Sequence, residues 1–396
     1  MNLILSKRLP AAVLLIAFTH FALELHHNFL PVVYPLLIEK MGLTYSQIGM
    51  LALAVSISGA LIQPLFGYVS DRWDPRLMVA GGIGWIGVWM GLFGVVAYYG
   101  QQYWLLIPII VLGSFASAAY HPAGAALIPA NTSTRRGAAM SLFSVGGNLG
   151  SAVSPLLVGA GLLWFGLRGT AVLIPLGLLL SFFVFSQSHQ LALPAHTAVQ
   201  GGESQAGSWL ALGLIVLVVA ARSWFQGSLA TYLPEWLLSE GWSLETASSI
   251  FSALLVSVSV GSISGGTLSD KVGRVPILVG SMVLMGPLHW LMLHSTGISQ
   301  IACIAFTGVA IGASFPVTIL MAQEIWPQAT GLAGSLVMGL GWLPAGIGSW
   351  VVGLVADGSS LTTGLETLMF VPLVGMTAVL LFMYLSGYRS SGTVER

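Results

Sequence analysis

The sequence predicts an all-α polytopic membrane protein whose twelve transmembrane helices form two pseudo-symmetric six-helix bundles. Three observations carry this. Of 396 residues, 56% are hydrophobic and only 7% are charged, which is too little polar surface for a water-soluble chain of that length. The apolar residues gather into twelve runs of roughly 20 or more, enough to cross a bilayer. The two halves of the chain also repeat each other's landmarks at a fixed distance.

In order, the expected spans are 9–37, 45–69, 76–98, 103–128, 137–162 and 167–187, then 209–238, 245–268, 275–294, 299–323, 330–355 and 364–387. Lys7 and Arg8 precede the first run, which has no small-residue cleavage site, so a retained helix is expected. The longest polar, Gly/Ser/Ala-rich segment lies between the sixth and seventh runs, giving bundles at 1–187 and 209–396 joined by a linker at 188–208. With the N-terminus inside, the cytoplasmic side collects Lys7, Arg8, Arg72, Arg76, Arg135, Arg136, Lys271, Arg274, Arg389 and Arg396, against Lys40 and Arg168 outside. The positive-inside rule therefore places both termini and the linker in the cytoplasm.

The repeat is specific. GYVSDRWDPR at Gly67–Arg76 recurs as GTLSDKVGR at Gly266–Arg274, an offset of 199 that also pairs Pro35 with Pro234 and Gly42 with Gly241. Further on, an offset of 194 pairs Pro122 with Pro316, Gly137 with Gly331, Gly147 with Gly341 and Gly159 with Gly353. Six spans duplicated in parallel imply bundles related by an axis along the membrane normal, with a site expected at their interface near mid-bilayer.

Composition excludes other classes. Thirteen basic residues balance thirteen acidic ones, so nothing directs the chain to nucleic acid. Cys303 is the single cysteine, which rules out an intrachain disulfide. No nucleophile with its base and no phosphate-cradling glycine loop stands out, so no enzyme activity and no cofactor are expected.

Ionisable residues inside apolar runs are the candidate functional groups, because charge in hydrocarbon is costly. His20, Glu24 and His27, spaced i, i+4, i+7 in FTHFALELHHNF, share one helical stripe. Glu24 falls near mid-membrane, where an unpaired acid takes its neutral form, and this makes it the best-placed proton carrier. His20, one turn away, can bond it and pass its proton on. His26 and His27 lie in the outer half, where cavity lining is as good a reading as a direct role. Arg222 in the seventh span requires an acceptor: Glu24, backbone carbonyls or an anionic ligand. His121 sits beside helix-bending Pro122; Tyr120, Trp224, Gln63 and Asn148 complete the substrate-lining set. Tyr34, Phe225, Trp290 and Trp342 are further aromatic candidates, whereas Trp236 and Trp326 near helix ends suit the interfacial belt. The loop residues Asp71, Arg72, Arg76, Asp270, Lys271 and Arg274 are expected to form a cytoplasmic gate, with Glu324 at the same end. A metal site at His20, Glu24 and His27 has suitable helical spacing, but no second ligand cluster completes it, so no metal ligand is assigned and an intramembrane metal-binding transporter stays the lower alternative, which metal analysis of the purified protein decides.

Gly-x-x-x-Asp-Arg/Lys at Gly67–Arg72, repeated at Gly266–Lys271, resembles the cytoplasmic loop signature of the major facilitator superfamily. Asp74 stands where that signature has the glycine that the second copy keeps as Gly273. Within the superfamily, THFALELHHNFLPVVYPLL, YHPAGAAL, SLFSVGGNLGSAVSPLL, AQEIWP, VVGLVADGSS and FVPLVGMTAV are similar to the fosmidomycin-resistance-type efflux branch, from about Thr19 to the last helix. That resemblance implies an inner-membrane exporter driven by the proton gradient, working as a monomer on a small molecule, with His20 and Glu24 at the branch's His and acid positions. Glu24 replaces an expected Asp, and Ala123 replaces an expected acid after His121-Pro122. GGNLGSAVSPLLVG at Gly146–Gly159 resembles a degraded antiporter motif; close helix packing explains its glycines equally well. A proton symporter importing an organic anion would use the same residues.

Overall fold

The structure, a computed structural model, describes residues 11–70, 72–132, 136–193, 209–326, 337 and 341–386. All regular structure among them is helical. The helices are α1 Ala11–Leu25, α2 Leu30–Met41, α3 Tyr45–Ser70, α4 Pro75–Gly100, α5 Tyr103–Asn131, α6 Arg136–Phe165 and α7 Leu173–Gln187, then α8 Trp209–Ser239, α9 Leu244–Val272, α10 Arg274–Leu293, α11 Gly297–Ile325, α12 Gly341–Gly358, α13 Leu361–Glu366 and α14 Val371–Ser386. Ten runs among the described residues are long and apolar enough to span a bilayer. One of them, 139–190, has twice the necessary length. A 3₁₀ segment at Gly166–Val172 divides it into the fifth and sixth spans. With α12, whose upstream part of the expected eleventh span lies outside the described residues, the runs account for twelve spans.

The expected first helix differs in detail. It breaks after Leu25 and restarts at Leu30, with Pro31 in the first turn of α2. Pro31 has no amide proton to continue a helical ladder, and the amides of His26 and His27 turn back onto the carbonyls of Leu23 and Glu24 at 3.0 and 3.1 Å. The twelfth span is likewise interrupted, by a 3₁₀ turn at Thr367–Phe370 between α13 and α14.

The repeat has a backbone cause at Gly42 and Gly241. Both take positive φ, +65° and +90°, immediately beyond α2 and near the end of α8, the left-handed geometry that ends a helix without a Cβ clash. The signature loops differ from each other for a related reason. Gly273 adopts φ +94° before α10, whereas Asp74 is extended at φ −68° and caps α4 by accepting from the Arg76 amide at 2.9 Å.

The chain groups into two compact units, residues 1–43, 58–198 and 241–252 in the first, and 44–57, 199–240 and 253–396 in the second. The N-terminal part of α3 therefore counts with the second unit and that of α9 with the first. In the first unit α1 packs on α6, and α4 packs on both α5 and α7. In the second, α8 lies against α12 and α14, and α10 against α11. The segment 44–57 is fastened there by polar contacts: Asp357 accepts from the amides of Tyr45 and Ser46 at 2.7 and 3.0 Å, and the Tyr232 hydroxyl reaches the Tyr45 and Ser349 carbonyls at 2.8 and 2.7 Å.

Candidate functional site

In the first unit, the site is seated by glycines of α6. A Cβ at Gly146 would strike the Ala17 carbonyl, one at Gly147 the His20 ring, and one at Gly150 the Phe21 carbonyl and the Glu24 Cβ. The GGNLG sequence thus presents a smooth face against which α1 lays its polar stripe, the close approach that small residues permit inside a membrane.

His20 is held between aromatic rings, stacked on Phe143 at 4.1 Å and on Tyr120 at 5.6 Å. Its Nδ1 lies 2.9 Å from the Phe143 carbonyl, so Nδ1 carries the hydrogen and Nε2 is left facing Glu24 Oε1 at 3.8 Å. His121 from α5 does the same: Nδ1 lies 2.7 Å from the Ser117 carbonyl, and Nε2 lies 3.4 Å from the same Oε1. The other carboxylate oxygen, Oε2, accepts from Asn28 Nδ2 at 2.6 Å and from Ser151 Oγ at 3.3 Å, with His27 Nδ1 at 3.9 Å. Glu24 is therefore not the unpaired acid of the sequence expectation. Three histidines and two neutral donors surround it, and its side chain is only 11% exposed against 34% for His121.

Other expected liners are placed elsewhere. His26 is fully buried, with Nδ1 on the Ala22 carbonyl at 2.6 Å and Nε2 turned toward Gly177, so it packs the bundle interior. Tyr120 is also fully buried and bonds Thr19 Oγ1 at 2.7 Å; it supports His20 from behind. No described hydrogen bond joins Gln63 or Asn148 to the cluster. Asn28 and Ser151 were missed from sequence. Asn28, four residues after Glu24, was within helical reach of it, whereas nothing local marks Ser151.

In the second unit, Arg222 is buried on α8 and its guanidinium lies 4.2 Å over the Phe315 ring. Its Nη2 reaches Ser223 Oγ at 3.4 Å, while Nε and Nη1 have no partner. Among the described residues Arg222 forms no ion pair with a carboxylate. Trp224 is partly exposed and packs on Gly348 of α12. Phe225 is buried against His289 at 5.1 Å, and Tyr34 is also core. Trp290 is stacked on His294 at 4.5 Å, and Trp342 lies 6.2 Å from Phe315. The belt expectation fails for Trp236 and Trp326. Trp236 is fully buried with Nε1 on Thr362 Oγ1 at 3.2 Å, and Trp326 is buried edge-on against Trp209.

Of the gate residues, Asp71 lies outside the described residues. Arg72 folds over the Tyr68 ring at 3.5 Å, and Arg76 is bound by Asp74 at 2.7 Å. The Arg76 guanidinium holds the Asp74 carboxyl below the usual carboxylate range. In the second copy, Arg274 joins Asp270 at 3.2 Å to Glu324 at 2.8 Å, and Lys271 is exposed.

The geometry is that of a buried carboxylate with convergent imidazoles in one unit and a buried, partly unpartnered guanidinium in the other. Comparison with known proteins gives this a context. A model of the Major Facilitator Superfamily matches residues 13–219 and 214–394. The chain is 27% identical to the Fosmidomycin resistance protein of Escherichia coli, over 92% of this chain and 91% of that one. It is 25% identical to the MFS-type transporter YfnC of Bacillus subtilis, over 89% and 88%. Among solved structures, a bacterial homologue of the human lysosomal transporter Spinster, in an inward-facing and occupied conformation, superposes with a TM-score of 0.80 at 14% identity, covering 97% of this chain and 98% of that one.

Proposed function

The chain belongs to the Major Facilitator Superfamily, and from that premise we propose that it is a proton-coupled antiporter that exports a small amphipathic or anionic compound by alternating access. The observation that carries the coupling is the 3.4 Å approach of His121 Nε2 to Glu24 Oε1. With Nδ1 committed to a carbonyl, a neutral His121 would set one lone pair against another. The approach is favourable when a proton lies between them. Glu24 and His121 are accordingly the proton-holding pair, with His20 a second acceptor at 3.8 Å. The greater exposure of His121 makes it the point of entry.

Arg222 supplies the other half of the exchange. Its unpartnered Nε and Nη1 offer adjacent donors to a carboxylate or phosphonate, the bidentate geometry for which a guanidinium is suited. Protonation of the Glu24 cluster from outside favours release of the substrate, and deprotonation inward restores its binding. The similarity to the Fosmidomycin resistance protein supports export, a drug or phosphonate-like substrate and a place in the bacterial inner membrane; the lysine and arginine bias of the loops supports cytoplasmic termini, and the reading takes the monomer as the working form.

Flux in proteoliposomes tests the direction of coupling. Antiport predicts accumulation of labelled substrate when the lumen is more acidic than the bath, because protons leave as substrate enters. Accumulation only from an acidic bath would establish symport, the alternative reading, and overturn export.

A further inference from the structure

We propose that His20, Glu24 and His121 form a binding site for a divalent transition-metal ion of the zinc class. The site is shared with the proton-coupling reading but does not depend on it, because it stands on ligand geometry. One nitrogen from each histidine and one oxygen of Glu24 lie within 4.8 Å of one another. Two ligands about 2.0–2.1 Å from a tetrahedral zinc ion are about 3.3 Å apart. His121 Nε2 and Glu24 Oε1 already stand at 3.4 Å, and His20 Nε2 lies 3.8 Å from the same oxygen.

The surroundings are those of a ligand set held ready. Each histidine directs its Nδ1 at a backbone carbonyl, Phe143 at 2.9 Å and Ser117 at 2.7 Å, the outer contact that orients metal-bound imidazoles and leaves Nε2 as the ligand. Asn28 and Ser151 hold the distal carboxylate oxygen. The His20 ring is fixed by its stack on Phe143, and His121 meets it edge-on at 5.4 Å. Two imidazoles and a carboxylate suit zinc and its neighbours over magnesium or calcium, which prefer all-oxygen shells. Three protein ligands leave a fourth position for water, the open arrangement of non-structural zinc sites.

The test uses tag-free protein in detergent with cobalt(II) as the probe. Wild type is expected to bind one equivalent with the intense visible bands of tetrahedral cobalt, displaced by zinc. Glu24→Gln and His121→Ala are each expected to lose those bands, with affinity lowered at least about 100-fold, more than loss of an outer contact costs. His294→Ala, which removes only a partly exposed histidine beside Glu366, should keep them. Size-exclusion profiles and metal-free unfolding temperatures establish that the variants are folded. Absence of protein-bound cobalt in wild type, or tetrahedral bands surviving in either cluster variant, would overturn the site. Proton-driven flux measured in the presence of a chelator is a separate readout, so the metal site and the coupling reading can fail independently.

Discussion

Glu24 and Arg222 occupy nearly equivalent places in the repeat and carry opposite charge. The offset of 199 sets Glu24 on Ser223, beside Arg222, and the offset of 194 sets His121 on Phe315. Glu24 meets His121 in one unit, and Arg222 covers Phe315 in the other. The first and fourth helices of each bundle thus meet at corresponding places, through an acid and an imidazole in one and a cation on an aromatic face in the other. Arg222→Ala is expected to leave the fold intact and to weaken binding of an anionic substrate about 10- to 100-fold, the scale of one or two hydrogen bonds to a charged group; ligand titration in detergent measures it, and unchanged affinity would remove Arg222 from the site. His121→Phe, which installs the partner residue of the repeat, should retain the ring packing and lower pH-driven flux by about 100-fold, a magnitude typical of a positioned acid–base group. Glu24 and His20 were legible in sequence because ionisable groups stand out in an apolar run. The arrival of His121 and Ser151 was not, since they reach Glu24 only through the packing of α5 and α6 on α1.

At the level of elements, spans were legible from apolar length and their ends from glycine and charge. The interruption at residues 26–29 was not, because hydrophobicity runs through it unbroken; Pro31 was the available signal. The α6 glycines read equally well from sequence as a packing device or an antiport motif. Their contacts are those of a packing device, and the face they form lies against the stripe of α1 that carries His20 and Glu24. Gly147→Ala must displace the His20 ring, and overpacking of this kind costs about 1–3 kcal/mol. A lower unfolding temperature together with weakened pH-driven flux is the expected result. At the start of α4, Asp74→Ala removes a cap and should cost about 0.5–2 kcal/mol, read as a smaller fall in unfolding temperature. The Arg76 pairing lowers the Asp74 pKa, so its contribution is present at neutral pH and is lost as acid protonates the carboxyl.

For the whole molecule, the internal repeat makes two bundles legible in the sequence, since parallel duplication leaves glycines and prolines in register. The assignment of residues 44–57 and 241–252 to opposite units was hidden, because segment membership depends on three-dimensional contacts and not on chain order. Topology is testable with the single cysteine as an advantage. In a Cys303→Ser background, Gln190→Cys should react with a membrane-impermeant thiol reagent only from the cytoplasmic side, and Ser359→Cys only from outside; the reverse pattern would invert the orientation.

The central claim is that the Glu24 cluster couples proton movement to transport. The most direct measurement is proton release from purified protein and proton-coupled flux in proteoliposomes, for wild type and Glu24→Gln side by side. Wild type is predicted to exchange protons on adding substrate and to transport against a pH gradient. Glu24→Gln should bind substrate but exchange no protons and equilibrate substrate without accumulating it. Full pH-driven accumulation by Glu24→Gln would contradict the account.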